Sequence, residues 1–514
     1  MQGGGAKNAR RDRTDSSTAG KEGESWGKTP QNWKGAAVRA FSPPCGRAKV
    51  PQPITKELSM TSNTLRDADL SYVLHPYTNL VAHETKGPLI AVRGEGVRVF
   101  DETGRDYIEG MAGLWCASLG FNEPRLVEAA TRQMKELPFF HMFSHKSHAP
   151  GIELSQALIE RAPVPMARVF FANSGSEAND TALKMIWYYN NAVGRPEKKK
   201  VIARQRAYHG VTVASASLTC LPANHRDFDL PIARILHTGS PQYYREGLPG
   251  ESEDEFARRR ARELEELILA EGPETVAAFF AEPVMGAGGV ILPPGRYFEY
   301  IQEVLRKYDI LFVADEVICG FGRTGQYWGS QTYDLKPDIL TCAKALSSAY
   351  LPISAVLVNE KVYQALRTNS GKIGTFGHGY TYSAHPVSAA VALETLRLYD
   401  ERDILSNVAR SGARLQARLR ALADHPLVGD ARGIGLIGAL EMVKDKASHA
   451  SFEPTLAVGP RIVERAQEHG VILRAMAADA IAFSPPLIIS EAEVDDMMDR
   501  FERALNDVAA DILK

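Results

Sequence analysis

The sequence predicts an α/β fold built on a mainly parallel sheet. Two buried apolar runs carry that expectation, Thr275-Val-Ala-Ala-Phe-Phe-Ala281 and Leu311-Phe-Val-Ala314, each ending on a carboxylate, Glu282 and Asp315. Helical stretches such as Tyr297 to Tyr308 stand between strand-like pieces. Strands that alternate with helices imply right-handed βαβ units, and ligands of such sheets bind beyond the carboxyl ends of the strands. Ser174, Tyr208, Glu282, Asp315 and Lys344 all fall at such ends.

The chain has 514 residues, 44% hydrophobic and 24% charged, enough apolar material for two or more domains with large cores. A net charge of −2 offers no electrostatic reason to expect nucleic acid or an anionic membrane. Cys45, Cys116, Cys220, Cys319 and Cys342 are odd in number and scattered, and read as reduced thiols of a cytoplasmic protein. No apolar run approaches the roughly 18 residues of a membrane span.

Residues 1 to about 59 are rich in Gly, Ser, Lys, Arg and Pro and lack periodicity, so disorder is expected there. Asp12, Asp15, Glu22 and Glu24 argue against an acid-poor transit peptide, and no apolar h-region marks a secretory signal. An untargeted tail, or a start displaced to Met60, is the expectation. Leu89 to Glu109 reads as an antiparallel meander around glycine turns, and Gly110 to Gly120 is too glycine-rich for a helix and too apolar for an exposed loop. Glu123 to Leu137 reads as a helix. His141, His145 and His148 follow it in a loop-like stretch that lacks the frame and the carboxylate or thiolate company of a zinc site.

Arg168 to Lys184 reads as strand, glycine turn and helix start, with Ser174-x-x-Glu177 matching a capping box. A helix N-terminus with two hydroxyls, Ser174 and Ser176, is suited to phosphate, although a well-capped helix alone accounts for the same residues. Lys200 to Arg204 is a strand leading to Tyr208, which is placed to stack on a planar ring. Residues 251 to 270 form a charged surface helix with Leu264, Leu267 and Ile268 on one face. After the strand at Ile353 come long helices from Val387 to about Asp424, then strand-like pieces at Gly433–Glu441 and Val471–Arg474. Gly433-x-Gly435-x-x-Gly438 matches the dinucleotide fingerprint in letters, but an apolar strand-like run follows it instead of a helix.

Asp315 and the lysine of Thr341-Cys-Ala-Lys344 suit pyridoxal phosphate. That cofactor needs an amine to meet its aldehyde and a carboxylate at its pyridine nitrogen. The motifs Asn173-Ser-Gly-Ser-Glu-Ala-Asn, Ala207-Tyr-His-Gly, Ala281-Glu-Pro-Val-x-Gly-Ala-Gly-Gly, Ala314-Asp-Glu-Val-Ile-Cys-Gly-Phe-Gly-Arg-Thr-Gly and Gly379-Tyr-Thr-Tyr-Ser-x-His-Pro join them in order. With these motifs the chain, from about Leu70 to its end, resembles the class III aminotransferases of fold-type I, and among them the (S)-selective ω-transaminases.

The resemblance implies a seven-stranded-type sheet in a large domain over 136–386 and a small α+β domain built from 60–135 and 387–514. It implies Lys344 as Schiff-base lysine and proton shuttle, and Asp315 as partner of the pyridine nitrogen. Val317 and Tyr208 would flank the ring, and Ser174, Gly175 and Ser176 would hold the phosphate with Thr381 of a second copy. His209 and Glu282 join the cofactor residues, and Tyr208 counts with Lys344 and Asp315 as catalytic. Tyr77, Trp115, Phe143 (from the second copy) and Arg474 would line the substrate pocket. Arg474 corresponds to a mobile arginine that receives a substrate carboxylate, although a surface salt bridge is the ordinary role of such a residue. The implied reaction moves an amino group from an amine or ω-amino acid to a keto acid, pyruvate foremost, in two half-reactions within a homodimer or a dimer of dimers. An aminomutase or decarboxylase on the same cofactor is the alternative, and a dinucleotide-binding regulator the remote one. Met285 departs from the glutamine many members carry at that place.

Overall fold

The computed structural model describes residues Ser62–Leu513. The disorder expected over 1–59, with Cys45 and Met60, lies outside the described residues. The expected meander is present as β1 (Ala91–Glu95), β2 (Arg98–Asp101) and β3 (Asp106–Glu109), paired antiparallel in sequence. Gly104, at φ 87°, turns its second corner in a conformation that a Cβ would disfavour.

The central sheet is built from β4 (Arg168–Ala172), β5 (Lys200–Arg204), β6 (Ile235–Thr238), β7 (Val276–Ala281), β8 (Leu311–Asp315), β9 (Ile339–Cys342) and β10 (Ser354–Val358). Their spatial order is β4-β10-β9-β8-β7-β5-β6. β5 pairs in parallel with β6 and β7, β7 with β8, and β8 with β9, whereas β10 runs antiparallel to both β9 and β4. The exception has a topological cause. β9 reaches β10 through the short 3₁₀ turn Lys344–Ser347 with no crossover helix, and a parallel return needs one.

Alternate residues of the central strands serve opposite faces. Phe280 and Val313 pack on the side of the helix Gly175–Ala192, while Phe279 and Phe312 pack against the helices Glu253–Glu271 and Tyr297–Lys307. Coverage on both faces is why β7 reads Val-Ala-Ala-Phe-Phe-Ala with no polar residue. Each fully buried phenylalanine contributes about 1.5–3 kcal/mol of transfer free energy.

The chain then runs through helices Pro386–Glu401 and Ile404–Ala421 into β11 (Val428–Ile434) and β12 (Ile437–Met442), followed by β13 (Val471–Ile472), β14 (Arg474–Ala475) and β15 (Ala480–Phe483). Two expected strand pieces divide. Gly433–Glu441 is a hairpin, with Gly435 at φ 53° in its turn against the backbone of Arg323 and Thr324, so the glycine fingerprint opens no helix. Val471–Arg474 breaks at the buried Leu473: β13 pairs with β3, and β14 pairs with β15 in the sheet β11-β12-β15-β14. The apolar pattern marks extended chain and carries no information on which sheet receives it. Gly110–Gly120 holds one distorted helical turn, Ala112–Trp115, with Gly113 and Leu114 out of helical geometry. His148 Nδ1 accepts from Gly151 N at 3.1 Å and caps the helix Ala149–Arg161. Cys116, Cys220, Cys319 and Cys342 are free thiols, and among the described residues no helix is long and apolar enough to cross a membrane.

Candidate active site

The carboxyl ends of the parallel strands surround a cleft of about 130 Å³. Gly175, Ser176, Asn179, Tyr208, His209, Gly210, Glu282, Asp315, Val317, Ile318 and Lys344 line it. Asp315, the last residue of β8, is held by three donors. Its Oδ2 accepts from His209 Nδ1 at 2.7 Å and from Asn179 Nδ2 at 2.8 Å, and its Oδ1 accepts from Val317 N at 3.0 Å. Asn179 is fixed in turn by Thr341 Oγ1, which donates to its Oδ1 at 2.8 Å. With three donors the carboxylate has one orientation and needs no rotamer search when a cationic partner arrives.

Glu282 follows β7 and is buried; its oxygens accept from Tyr208 N and Gly286 N, each at 3.1 Å. Burial, the largest influence, and the neighbouring Asp315 raise its pKa against the pull of His209. Glu282 therefore clamps the backbone beneath Tyr208.

Lys344 opens the 3₁₀ turn after β9 at φ 50°. A left-handed conformation at a non-glycine residue costs of order 1–3 kcal/mol and persists where the surroundings impose it. Burial pushes its ammonium below the ordinary lysine range, with Cys116, Asp315 and Glu282 opposing the shift. Its Nζ lies 5.6 Å from the Trp115 ring, and the Arg474 guanidinium lies 5.4 Å from that ring. Trp115 is buried and its Nε1 has no partner among the described residues. Arg474 also lies 5.9 Å from the ring of Tyr77, and it makes no ion pair among the described residues. The surface salt bridge considered for Arg474 is thus absent there. Burial, then a hydrogen bond with the Tyr77 hydroxyl, raises the pKa of Tyr208, so its phenol stays protonated at neutral pH.

Ser174 caps the helix Gly175–Ala192, its Oγ accepting from Glu177 N at 3.2 Å. The reciprocal half of the expected capping box is displaced by one residue: Glu177 accepts from Asn173 N at 2.7 Å, because its carboxylate is also held by Asn173 Nδ2. Ser176 Oγ accepts from Val211 N at 3.1 Å, joining the helix start to the Gly210 loop. A Cβ on Gly175 would meet Val317 at 3.0 Å, and one on Gly210 would meet the Ser176 backbone at 2.8 Å. Both positions stay open only with glycine. Phe143 and Thr381 do not line this cleft. Both are exposed, and Phe143 packs on Gly379 in a separate depression of about 970 Å³.

Residues 80–505 match the family described as Aminotransferase class-III. The chain is a class III aminotransferase. It is 51% identical over 436 residues to "Gamma aminobutyrate transaminase 1, mitochondrial" of Solanum lycopersicum, covering 85% of this chain and 84% of that protein. Among solved structures it is similar to the ω-transaminase of Pseudomonas jessenii in complex with PMP, with TM-score 0.86 and 56% identity over 87% of this chain and 99% of the other. A further structure, a transaminase with L-alanine, gives TM-score 0.81 and 59% identity over 82% and 100%. The fold is accordingly that of the fold-type I enzymes, and this aminotransferase is a pyridoxal-phosphate-dependent transaminase acting on small-molecule amine and keto-acid substrates.

Its residues fit that cofactor. A buried amine, a three-donor carboxylate and a glycine-serine helix start face one cleft, and His209 Nε2 is buried there without a partner among the described residues. Met285 is buried against Ala207 and Ile291 and does not line the cleft, so the aminotransferase lacks a glutamine contact at this place. Asn179 and Thr341 escaped the reading of the sequence. A signal for Asn179 was available, since it stands four residues after Gly175 and therefore shares its helix face.

Proposed function

We propose that this aminotransferase passes an amino group from an amine or ω-amino acid to pyruvate by a ping-pong mechanism. The observation that carries the reading is the guanidinium of Arg474. It makes no ion pair among the described residues, lies 5.9 Å from the Tyr77 ring and 5.4 Å from the Trp115 ring, and shares that indole with Lys344. A cation free of a protein carboxylate is available to a substrate carboxylate, while the aromatic walls accept an uncharged amine substituent. The L-alanine complex of a similar transaminase supports pyruvate as acceptor, since alanine is its aminated form. The tomato relative's name keeps 4-aminobutyrate among the donors.

When bound, pyridoxal phosphate supplies an aldehyde for the amine and a ring that takes up the electron pair left by a departing α-proton. Lys344, with its pKa lowered by burial, holds the cofactor, then takes and returns that proton. Asp315 would partner the ring nitrogen, Val317 and Tyr208 would flank the ring, and His209 orients Asp315 through its 2.7 Å hydrogen bond. Ser174, Gly175 and Ser176 of one chain would hold the phosphate together with Thr381 of a second. The shared depression of Phe143 and Gly379, outside the cleft of their own chain, supports a homodimer whose sites are built across the interface. The acidic residues at 12, 15, 22 and 24 support a cytoplasmic location; the tomato relative is a mitochondrial protein by name, and fractionation separates the two.

The experiment follows the visible absorbance of the cofactor-loaded protein on adding (S)-1-phenylethylamine, then pyruvate or 2-oxoglutarate in separate cuvettes. Bleaching by the amine and recovery with pyruvate alone is expected. Bleaching only by an ω-amino acid or a diamine moves the donor, and failure of every amine to bleach would sink the proposed reaction. Light scattering, with Thr381→Ala and Lys344→Ala mixed to restore a share of active sites, tests the dimer.

A further inference from the structure

Away from the cleft, three potential ligand side chains converge on one point. Asp69 lies on the helix Ser62–Tyr72, His83 on the helix Leu80–Lys86, and His75 on the segment joining them. His75 Nε2 is 2.9 and 3.0 Å from the two carboxylate oxygens of Asp69, and His83 Nε2 is 3.1 Å from the nearer one. One ligand atom from each residue lies within 4.8 Å of the others, and the two imidazole centroids are 4.1 Å apart. We propose that Asp69, His75 and His83 form a binding site for a divalent first-row transition cation, zinc being the type.

Zinc bonds of about 2.0–2.2 Å in a tetrahedron place neighbouring ligand atoms roughly 3.3–3.5 Å apart. The two carboxylate–imidazole separations of 2.9 and 3.1 Å fall short of that by a few tenths of an ångström and the imidazole–imidazole pair lies within 4.8 Å, so a cation enters by a small adjustment of side chains. The donor set selects the metal. Two imidazoles and one carboxylate suit zinc, cobalt or nickel, while magnesium and calcium prefer all-oxygen shells. His75, Asp69 and His83 keep 25%, 20% and 13% of their side-chain surface, which leaves an approach from solvent and room for water as a fourth ligand. A hydrogen-bonded staple of the same three residues is the competing account, and it binds no cation.

The site clips the two helices across the segment that carries Tyr77, two residues beyond His75 and at φ 52°. Its occupant would hold Tyr77 over Arg474, but the cation site itself does not depend on the transamination reading, because its test reads metal and not turnover.

The test uses the full chain loaded with pyridoxal phosphate, free of added histidine tags, stripped with chelator and titrated with Co²⁺. One equivalent of Co²⁺ per chain is expected, with visible d–d absorption beyond the cofactor band, displaced by Zn²⁺ and not by Mg²⁺. His83→Ala and His75→Gln should each weaken Co²⁺ binding at least about tenfold, as even the loss of an outer-shell partner does. Zn²⁺ should raise the melting temperature of the parent and not of these variants. If His83→Ala fails to fold, His75→Gln carries the comparison, since its amide can still donate to Asp69. Binding well below one equivalent, displacement by Mg²⁺, or equal Co²⁺ binding in parent and variant would overturn the proposal.

Discussion

Removing the Asn179 amide tests how far the Asp315 carboxylate depends on its supports. The amide donates to Asp315 Oδ2 at 2.8 Å, leaving His209 and the Val317 N–H as the other two donors. A hydrogen bond to a charged acceptor contributes about 1.5–3 kcal/mol. Asn179→Ala should therefore weaken the hold on the ionised carboxylate by about that amount. If the whole effect reaches the transition state, the amine half-reaction slows by about tenfold to a hundredfold. Stability also falls, because the variant strips the Thr341 hydroxyl and the His209 carbonyl of their partner. Stopped-flow measurement of the half-reaction at saturating amine, on protein with measured cofactor content, separates the two effects. A lowered melting temperature with an unchanged half-reaction rate would assign Asn179 to folding alone and refute its support of Asp315.

Arg474→Ala should raise the KM for pyruvate by about tenfold to a hundredfold, from the loss of charge-assisted hydrogen bonds, with little change for 1-phenylethylamine. Arg474→Lys should recover part of that loss, a point charge replacing a planar fork; equal effects of Arg474→Ala on both substrates would contradict the assigned role. His237 is held at a pKa of about 4 by burial, below its ordinary 6.5, so the unfolded chain binds the extra proton first as pH falls. Stability should drop between about pH 6.5 and 4, by up to roughly 3 kcal/mol from this residue; urea unfolding at pH 7 and pH 5 should show the drop in the parent and a smaller one in His237→Gln. Met285→Gln buries an amide among Ala207 and Ile291 and should cost about 1–3 kcal/mol in thermal or urea unfolding, and a variant as stable as the parent would show that the amide finds a partner.

Much of the architecture was legible because it is written in local physics. Runs such as β7 and β8 are apolar throughout, since both faces are covered, and a carboxylate closes each where the sheet meets the cleft. Asp315, Lys344 and the Ser174 helix start could be placed at strand ends from the order of elements, and their motifs named the family. The charged helix before β7 was equally plain: Leu264 and Ile268 of its expected face are buried, Leu267 is partly buried, and Phe256 is buried as well.

What the sequence by itself determined is therefore the alternation of strands and helices, the chemistry of the principal side chains and the family they resemble. These follow from period, composition and short-range order. Only the tertiary structure decided the antiparallel placement of β10, the division of Val471–Arg474 between two sheets, and the grip of Asn179 on Asp315 across the fold. It alone brought Lys344 and Arg474 to the one Trp115 ring, and His75 and His83 onto one carboxylate. The reason is common to all of these. Each depends on a partner far along the chain or on a direction of approach, and residue periodicity encodes a face without encoding what that face will meet.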